Sequence, residues 1–330
     1  MLNTTVTNRN PNKIKTIGFG GIKSEEKIIA LNILRMEGAS VHGKKIGKAK
    51  VVEIDPGKPI PAHLLSPNVL ILGHPVGPYD ALATLNGGSL AQTIAKKLHI
   101  DELPHYECIL DDFNHGDKDT EILASYIARL FKSYKNSTAK QRFYGVIEDS
   151  AIRIKFMIKN FELAKETFNQ ETREEEFQRG GKRVKIALIR TFHRNLFLQA
   201  IAHKLHDRDV LMNWHNSSSN SNNPTELEAN DNYNRRDVTI SLKEENSVLL
   251  EYLFDQLEKR ESRKSVPGDS SIWQKISNKV IVTRASRKPH LNREEITSCI
   301  RTAYEIYYGP EISFESAERT AAEKMSVACI

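Results

Sequence analysis

The chain predicts an α/β protein: a mostly parallel sheet flanked by helices, followed by a mostly helical C-terminal region. Three observations carry this. Short apolar runs of strand length alternate with helix-period segments through the first half. Two of those runs stop abruptly in polar loops, Val69-Leu-Ile-Leu-Gly-His-Pro-Val-Gly-Pro78 and Tyr106-Glu-Cys-Ile-Leu-Asp-Asp-Phe-Asn-His-Gly116. Between them Ser89 to Leu98 has the stripe of a helix, and strand, loop, helix and strand make one unit of a parallel sheet. Loops at the carboxyl ends of neighbouring parallel strands form ligand crevices, so His74 and the Asp111/Asp112 pair are expected to face one another there.

In order, Lys13 to Phe19 reads as a first strand ending at Gly18-Phe-Gly-Gly21. That glycine cluster fits neither the dinucleotide nor the Walker pattern and reads as a tight turn. Ser24 caps a helix with an apolar stripe of Ile28, Ile29, Leu31, Ile33 and Leu34, ending before Gly38. Lys50 to Ile54 is a second strand closed by Asp55-Pro-Gly57, and Asn68 to Leu72 a third. After a loop holding Asn86-Gly-Gly88, Ser89 caps the next helix, and Tyr106 to Leu110 is a fourth strand. Ile122 to Phe131 is amphipathic and helical.

Arg142 to Val146 and Ala151 to Ile158 read as two further strands, the second alternating Ile152, Ile154 and Phe156 with Arg153 and Lys155. A charged helix spans roughly 161–177, a strand follows at Arg183 to Ile189, and 195–214 reads as a helix. Residues 215–235 are rich in Asn and Ser and read as a linker. The domains expected are therefore 1–195 (α/β), 196–235 (helix plus linker) and 236–330 (mostly helical, with strand-like runs at Asp237 to Leu242 and Lys279 to Thr283).

Hydrophobic residues make up 39% of the 330, enough for a sizeable core, and a formal charge of +6 favours anionic partners without choosing among them. The three cysteines, Cys108, Cys299 and Cys329, form no disulfide framework and share no metal-type spacing, which fits a reducing compartment. The N-terminus lacks a secretory pattern and no run approaches the roughly 20 apolar residues of a bilayer span. The expected location is cytoplasmic.

The first half resembles the self-processing cysteine protease domains of large bacterial toxins, relatives of caspases in clan CD. The likeness lies in the glycine-ended first strand, the Asp-Pro-Gly turn, the strand end Ile71-Leu-Gly-His74, and Asn86-Gly-Gly-Ser-Leu-Ala-Gln-Thr-Ile-Ala95 opening a helix. The resemblance implies a caspase-like fold over about 13–190, with His74 at the catalytic histidine. It puts Asp111 or Asp112 where the nucleophilic cysteine belongs, so the protease machinery is expected to be lost. Pro75 replaces the glycine after the histidine, and Cys108 lies earlier, inside the apolar run. It further implies an inositol hexakisphosphate site in the later part of the domain, near Arg153, Lys155, Lys182, Arg183 and Lys185; a solvated basic face accounts for the same residues.

Other chemistry stays open. Asp111, Asp112, His115, Asp117 and Asp119 carry oxygen ligands for Mg²⁺ or Ca²⁺ and, with His74, suit Zn²⁺, but the calcium-loop spacing is absent and Asp117 or Asp119 serves equally as a helix cap. No metal site is assigned on that basis. Three functions follow: a bacterial effector whose degenerate protease-like domain binds a polyphosphate or phosphoinositide, an active cysteine peptidase using His74 and Cys108, and a metal-dependent hydrolase using His74 and the Asp111/Asp112 loop. The tail from Glu311, with scattered glutamates, is similar to signals of type IV secreted effectors, which implies delivery into a host cytosol and a host protein partner. Nucleic acid is not expected, for want of aromatic residues among the basic ones.

Overall fold

A computed structural model describes residues 14–20, 24–55, 57–115, 123–191, 193, 195–217, 235–265, 271–283 and 289–309. The chain divides into two compact units, Met1–Phe161 and Glu162–Ile330.

Unit 1 is built on three parallel strands, β1 (Thr16–Phe19), β2 (Lys50–Glu53) and β3 (Val69–Leu72), in the order β2-β1-β3. Ile17 lies opposite both Val51 and Leu70, so β1 is the central strand and its Ile17 and Phe19 are fully buried. The helices are α1 (Glu25–Glu37), α2 (Ala39–His42), α3 (Pro78–Asn86), α4 (Leu90–Leu98), α5 (Pro104–His115), α6 (Leu123–Ser133) and the first part of α7 (Ala139–Glu171). α1 starts where Ser24 Oγ accepts the Lys27 N–H and carries Glu25 and Glu26 in its first turn, where the helix dipole favours them. It ends at Gly38, and its residues from Ile28 to Leu34 are buried. Asn32 is the polar member of that run; its Nδ2 donates to the Ile147 carbonyl at 3.2 Å and to Ser150 Oγ at 2.7 Å, tying α1 to α7. α4 begins as its sequence predicts, with Ser89 Oγ accepting the Gln92 N–H at 3.1 Å.

Three expected strands are helices, and this removes the caspase-like architecture. The run Tyr106 to Leu110 lies inside α5, so among the described residues no fourth strand extends the sheet beyond β3. The residues at the expected nucleophile position, Asp111 and Asp112, belong to the same helix rather than to a strand end. Arg142 to Ile158 lies wholly in α7. There Phe143, Val146, Ile147, Ile154, Met157, Phe161, Ala164 and Phe168 are buried at helical spacing, a longer and stronger signal than the brief alternation around Ile154. The α/β class stands; the caspase-like topology does not.

Unit 2 is a six-stranded mixed sheet of β4 (Arg173–Arg179), β5 (Lys182–Arg190), β6 (Val210–Ser217), β7 (Arg235–Leu242), β8 (Trp273–Ser277) and β9 (Val280–Thr283), in the order β4-β5-β6-β7-β9-β8. β4 and β5 form a hairpin through Gly180 and Gly181, whose φ of 54° and 75° suit residues without a Cβ. β5 and β6 are the parallel pair, joined through α8 (Asn195–Ala200) and a wider helical turn to Leu205. α9 (Ser247–Glu261) and α10 (Arg293–Tyr308) pack Leu250, Leu253, Leu257, Ile296 and Ile300 into a core with Ile186, Leu188, Met212 and Ile240 of the sheet. The chain from Glu162 on forms one unit across residue 195, where the sequence suggests a boundary, and 236–330 supplies strands to its sheet rather than a mostly helical region. Val210 to Trp214, read as the end of a helix, is part of strand β6. The Asn/Ser-rich stretch falls largely outside the described residues, as do the terminal segment from 310, Cys329, Asp117 and Asp119.

Candidate ligand sites

The crevice at the carboxyl ends of β1 and β3 is tightly organised by backbone. Gly20 donates its N–H to the Leu72 carbonyl at 2.9 Å, and Gly73 adopts φ 76° to turn the chain out of β3. Asp80, in the first turn of α3, accepts the Gly73 N–H at 2.9 Å, while Lys27 Nζ donates to the Gly73 carbonyl at 3.2 Å. Burial raises the Asp80 carboxyl above its ordinary pKa, against the lowering effects of that N–H and of the Lys27 charge.

His74 is 7% exposed and both of its ring nitrogens are engaged. Nδ1 accepts the Val76 N–H at 3.3 Å, which leaves the proton on Nε2 to donate to the Lys58 carbonyl at 3.1 Å. Neither nitrogen is offered to a thiol, and Cys108 is 2% exposed within α5. Burial also pushes the Cys299 thiol up to about 11. The peptidase arrangement of His74 with Cys108, drawn from the toxin-protease resemblance, is therefore not formed. Asp111, Asp112 and His115 lie on α5 and not in a loop; their side chains fall outside the described residues. Among the described residues, no group of three His, Cys, Asp or Glu side chains could hold a metal ion.

The basic residues divide between the units. Arg153 and Lys155 lie on α7, with the Arg153 guanidinium 5.3 Å from the centre of the Tyr126 ring. Lys182, Arg183 and Lys185 lie on β5, each beside an acid: Asp209 at 3.8 Å, Glu176, and Asp207 at 3.3 Å respectively. The strand expected at Ala151 to Ile158 is helical, so Arg153 and Lys155 do not stand on a strand beside the other three.

A different set of cations gathers in unit 2, far apart in sequence. At the carboxyl end of β5, Arg190 lies opposite Trp214 of β6, and Leu188 lies opposite Arg173 of β4 and Met212 of β6. Cross-strand partners share a face, and residues two apart along a strand share it too. Arg173, Leu188, Arg190, Met212 and Trp214 therefore stand on one side of the sheet, the side whose Leu188 and Met212 pack into the core with α10. Asn292, which caps α10, and Arg293, its first residue, join them. All of these but Met212, together with Leu291 and Ile189, line a cavity of ≈ 400 Å³. Glu171 is its acidic member, and Arg293 also lies 3.9 Å from Glu175. Arginines from three elements thus border one space, and the forked guanidinium is the donor type matched to phosphate or carboxylate oxygens. Reading 210–214 as helix hides Trp214, so only the strand register reveals the group.

No family model and no curated protein matches the chain. Among solved structures it is similar to a pGpG-specific phosphodiesterase, PggH from Vibrio cholerae, with 10% identity, a TM-score of 0.31, and coverage of 89% of this chain and 99% of that one. The DHH domain of a protein described as a member of a ribosomal-protein family matches with 10% identity and a TM-score of 0.32, over 92% of this chain and 88% of that one. A putative family II inorganic pyrophosphatase from Methanococcus jannaschii matches with 13% identity and a TM-score of 0.22, over 79% and 75%. At scores this low none of them assigns an activity to this chain, and none of the three is a caspase-like protease. The three-stranded order β2-β1-β3 and the helical α5 overturn the toxin-protease resemblance, and with it the degenerate-protease function. Among the described residues no helix is long and apolar enough to cross a membrane.

Proposed function

We propose that the chain binds an anionic phosphate ester in the cavity of unit 2. The observation that carries this reading is the gathering of Arg173, Arg190 and Arg293 around one ≈ 400 Å³ space. Its volume is in the lower range of small-molecule sites, and the apolar side chains of Leu188 and Leu291 in its wall lower the local dielectric, which strengthens charge-assisted hydrogen bonds. Calorimetric titration of the full chain with a phosphate monoester tests it. Binding should weaken by about tenfold or more in Arg293→Gln and should fall with added salt. An Arg293→Gln variant that binds as tightly as the parent would sink this placement.

A second reading, metal-dependent hydrolysis of a phosphoester, is favoured by Asp80 and Lys27 standing where parallel strands β1 and β3 end. His74 is committed to backbone, so carboxylates would have to hold the ion; the described residues offer no complete set, and no step is assigned to one. Incubation with Mn²⁺ and either a dinucleotide phosphodiester or pyrophosphate, followed by assay of mononucleotide or phosphate release, decides it. Turnover abolished in Asp80→Asn and in Asp111→Asn supports hydrolysis; no turnover with either substrate leaves binding as the function.

A further inference from the structure

We infer that the phosphate ester is a nucleoside phosphate whose base stacks on Trp214, an inference that rests on the binding reading above and goes further by assigning the ligand's other half. The arginines account for only part of the cavity. Apart from Glu171 and Asn292 the rest of its lining is apolar and includes a planar ring: Trp214 stands beside Arg190 in the strand register, and Leu188, Ile189 and Leu291 line the same space. Inorganic phosphate, pyrophosphate or an inositol phosphate has no flat face to place there and would leave that wall in contact with water. A nucleobase covers it, and an indole beside guanidiniums is a platform on which any base can stack.

Asn292 adds a polar feature of defined sense. Its Oδ1 accepts the Glu295 N–H at 2.9 Å as the cap of α10, so the amide group left to a ligand is the Nδ2 donor. This suits a ring nitrogen or carbonyl oxygen on the base edge. The phosphate then lies among Arg173, Arg190 and Arg293, with the sugar between.

The chain's tryptophan content makes the test direct. Only two tryptophans are present, and Trp273 is 1% exposed in the core of unit 2, whereas Trp214 is partly exposed. The full chain is titrated with adenosine 5′-monophosphate, guanosine 5′-monophosphate, ribose 5-phosphate and inorganic phosphate, following tryptophan fluorescence and calorimetric heat together. The expected result is quenching by a nucleotide alone and nucleotide affinity about tenfold above that of ribose 5-phosphate, the size of one base stacking on an aromatic ring. Trp214→Leu should bring nucleotide affinity down to that of ribose 5-phosphate, and Trp214→Phe should retain most of it, which separates lost stacking from a fold defect. Equal affinity for ribose 5-phosphate and nucleotides, or quenching that persists in Trp214→Leu, overturns the inference while leaving phosphate binding in place. If none of the four compounds binds, the phosphate-ester reading and this inference fall together.

Discussion

The Nε2–H of His74 is spent on the carbonyl oxygen of Lys58, 3.1 Å away, in a loop sixteen residues earlier in the chain. With Nδ1 held by the Val76 N–H, the ring is a strut between two loops. His74→Ala should therefore destabilise unit 1 by about 1–3 kcal/mol, since a carbonyl and an N–H packed against a buried ring each lose a partner. Urea unfolding measures this, and binding to the unit 2 cavity should be unchanged at denaturant concentrations where both proteins are folded.

Cys108 and Cys299 should both resist alkylation in the native state. Each is buried, and for Cys299 burial pushes the thiol up to about 11, leaving almost no thiolate near neutral pH. Mass spectrometry after iodoacetamide treatment should find both unmodified until denaturant is added. Rapid native labelling of Cys108 would mean that α5 opens to expose it.

His203 sets a pH dependence. Its Nδ1–H donates to the Arg208 carbonyl at 2.8 Å and Nε2 accepts from Ser241 Oγ at 2.9 Å, and burial lowers its pKa from 6.5. A histidine held neutral when folded takes up its proton more readily when unfolded. Its stabilising effect is therefore complete above the unfolded pKa and is lost as pH falls below 6.5 through the folded value. The melting temperature should drop between about pH 7 and pH 5, and His203→Gln should make that drop shallower. His193 and His206, also lowered by burial, keep the slope from vanishing.

Gly20 leaves no room for a side chain, because a Cβ there would stand 2.8 Å from the carbonyl oxygen of Gly73. Gly20→Ala must push the ends of β1 and β3 apart where Lys27 and Asp80 clasp the Gly73 peptide. A loss of about 1–3 kcal/mol is expected by thermal or urea unfolding, the usual cost of forcing extra volume into a packed site.

The three parallel strands, α1 and α4 are legible in the sequence because caps and apolar stripes agree, as Ser24 and Ser89 show. Tyr106 to Leu110 misleads because a five-residue apolar run has no period of its own; Pro104, at the first position of α5, is the signal for a helix. In 210–214 the apolar Val-Leu-Met resembles a helix end, yet Asp207, at φ 53°, breaks the chain before it and lets β6 begin. The turn after β3 can be read from Gly73 and Pro75, but the use of both His74 nitrogens depends on a carbonyl that no local pattern specifies. The cavity of unit 2 is invisible for the same reason at longer range: Arg173, Arg190, Trp214 and Arg293 meet only through pairing across β4, β5 and β6 and the entry of α10.

β4 is one edge of the six-stranded sheet, and an open edge is a template on which another molecule can add a strand. Here that edge reads Arg173-Glu-Glu-Glu-Phe-Gln-Arg179, with Glu174 beside Arg208, Glu175 beside Arg301 and Glu176 beside Arg183. The opposite edge, β8, is broken by an irregularity between Lys275 and Ser277. An incoming strand would have to strip water from three carboxylates on one side and match a kink on the other. The ion pairs that occupy the arginine side chains around β4 thus also guard a margin to which no further strand is added among the described residues.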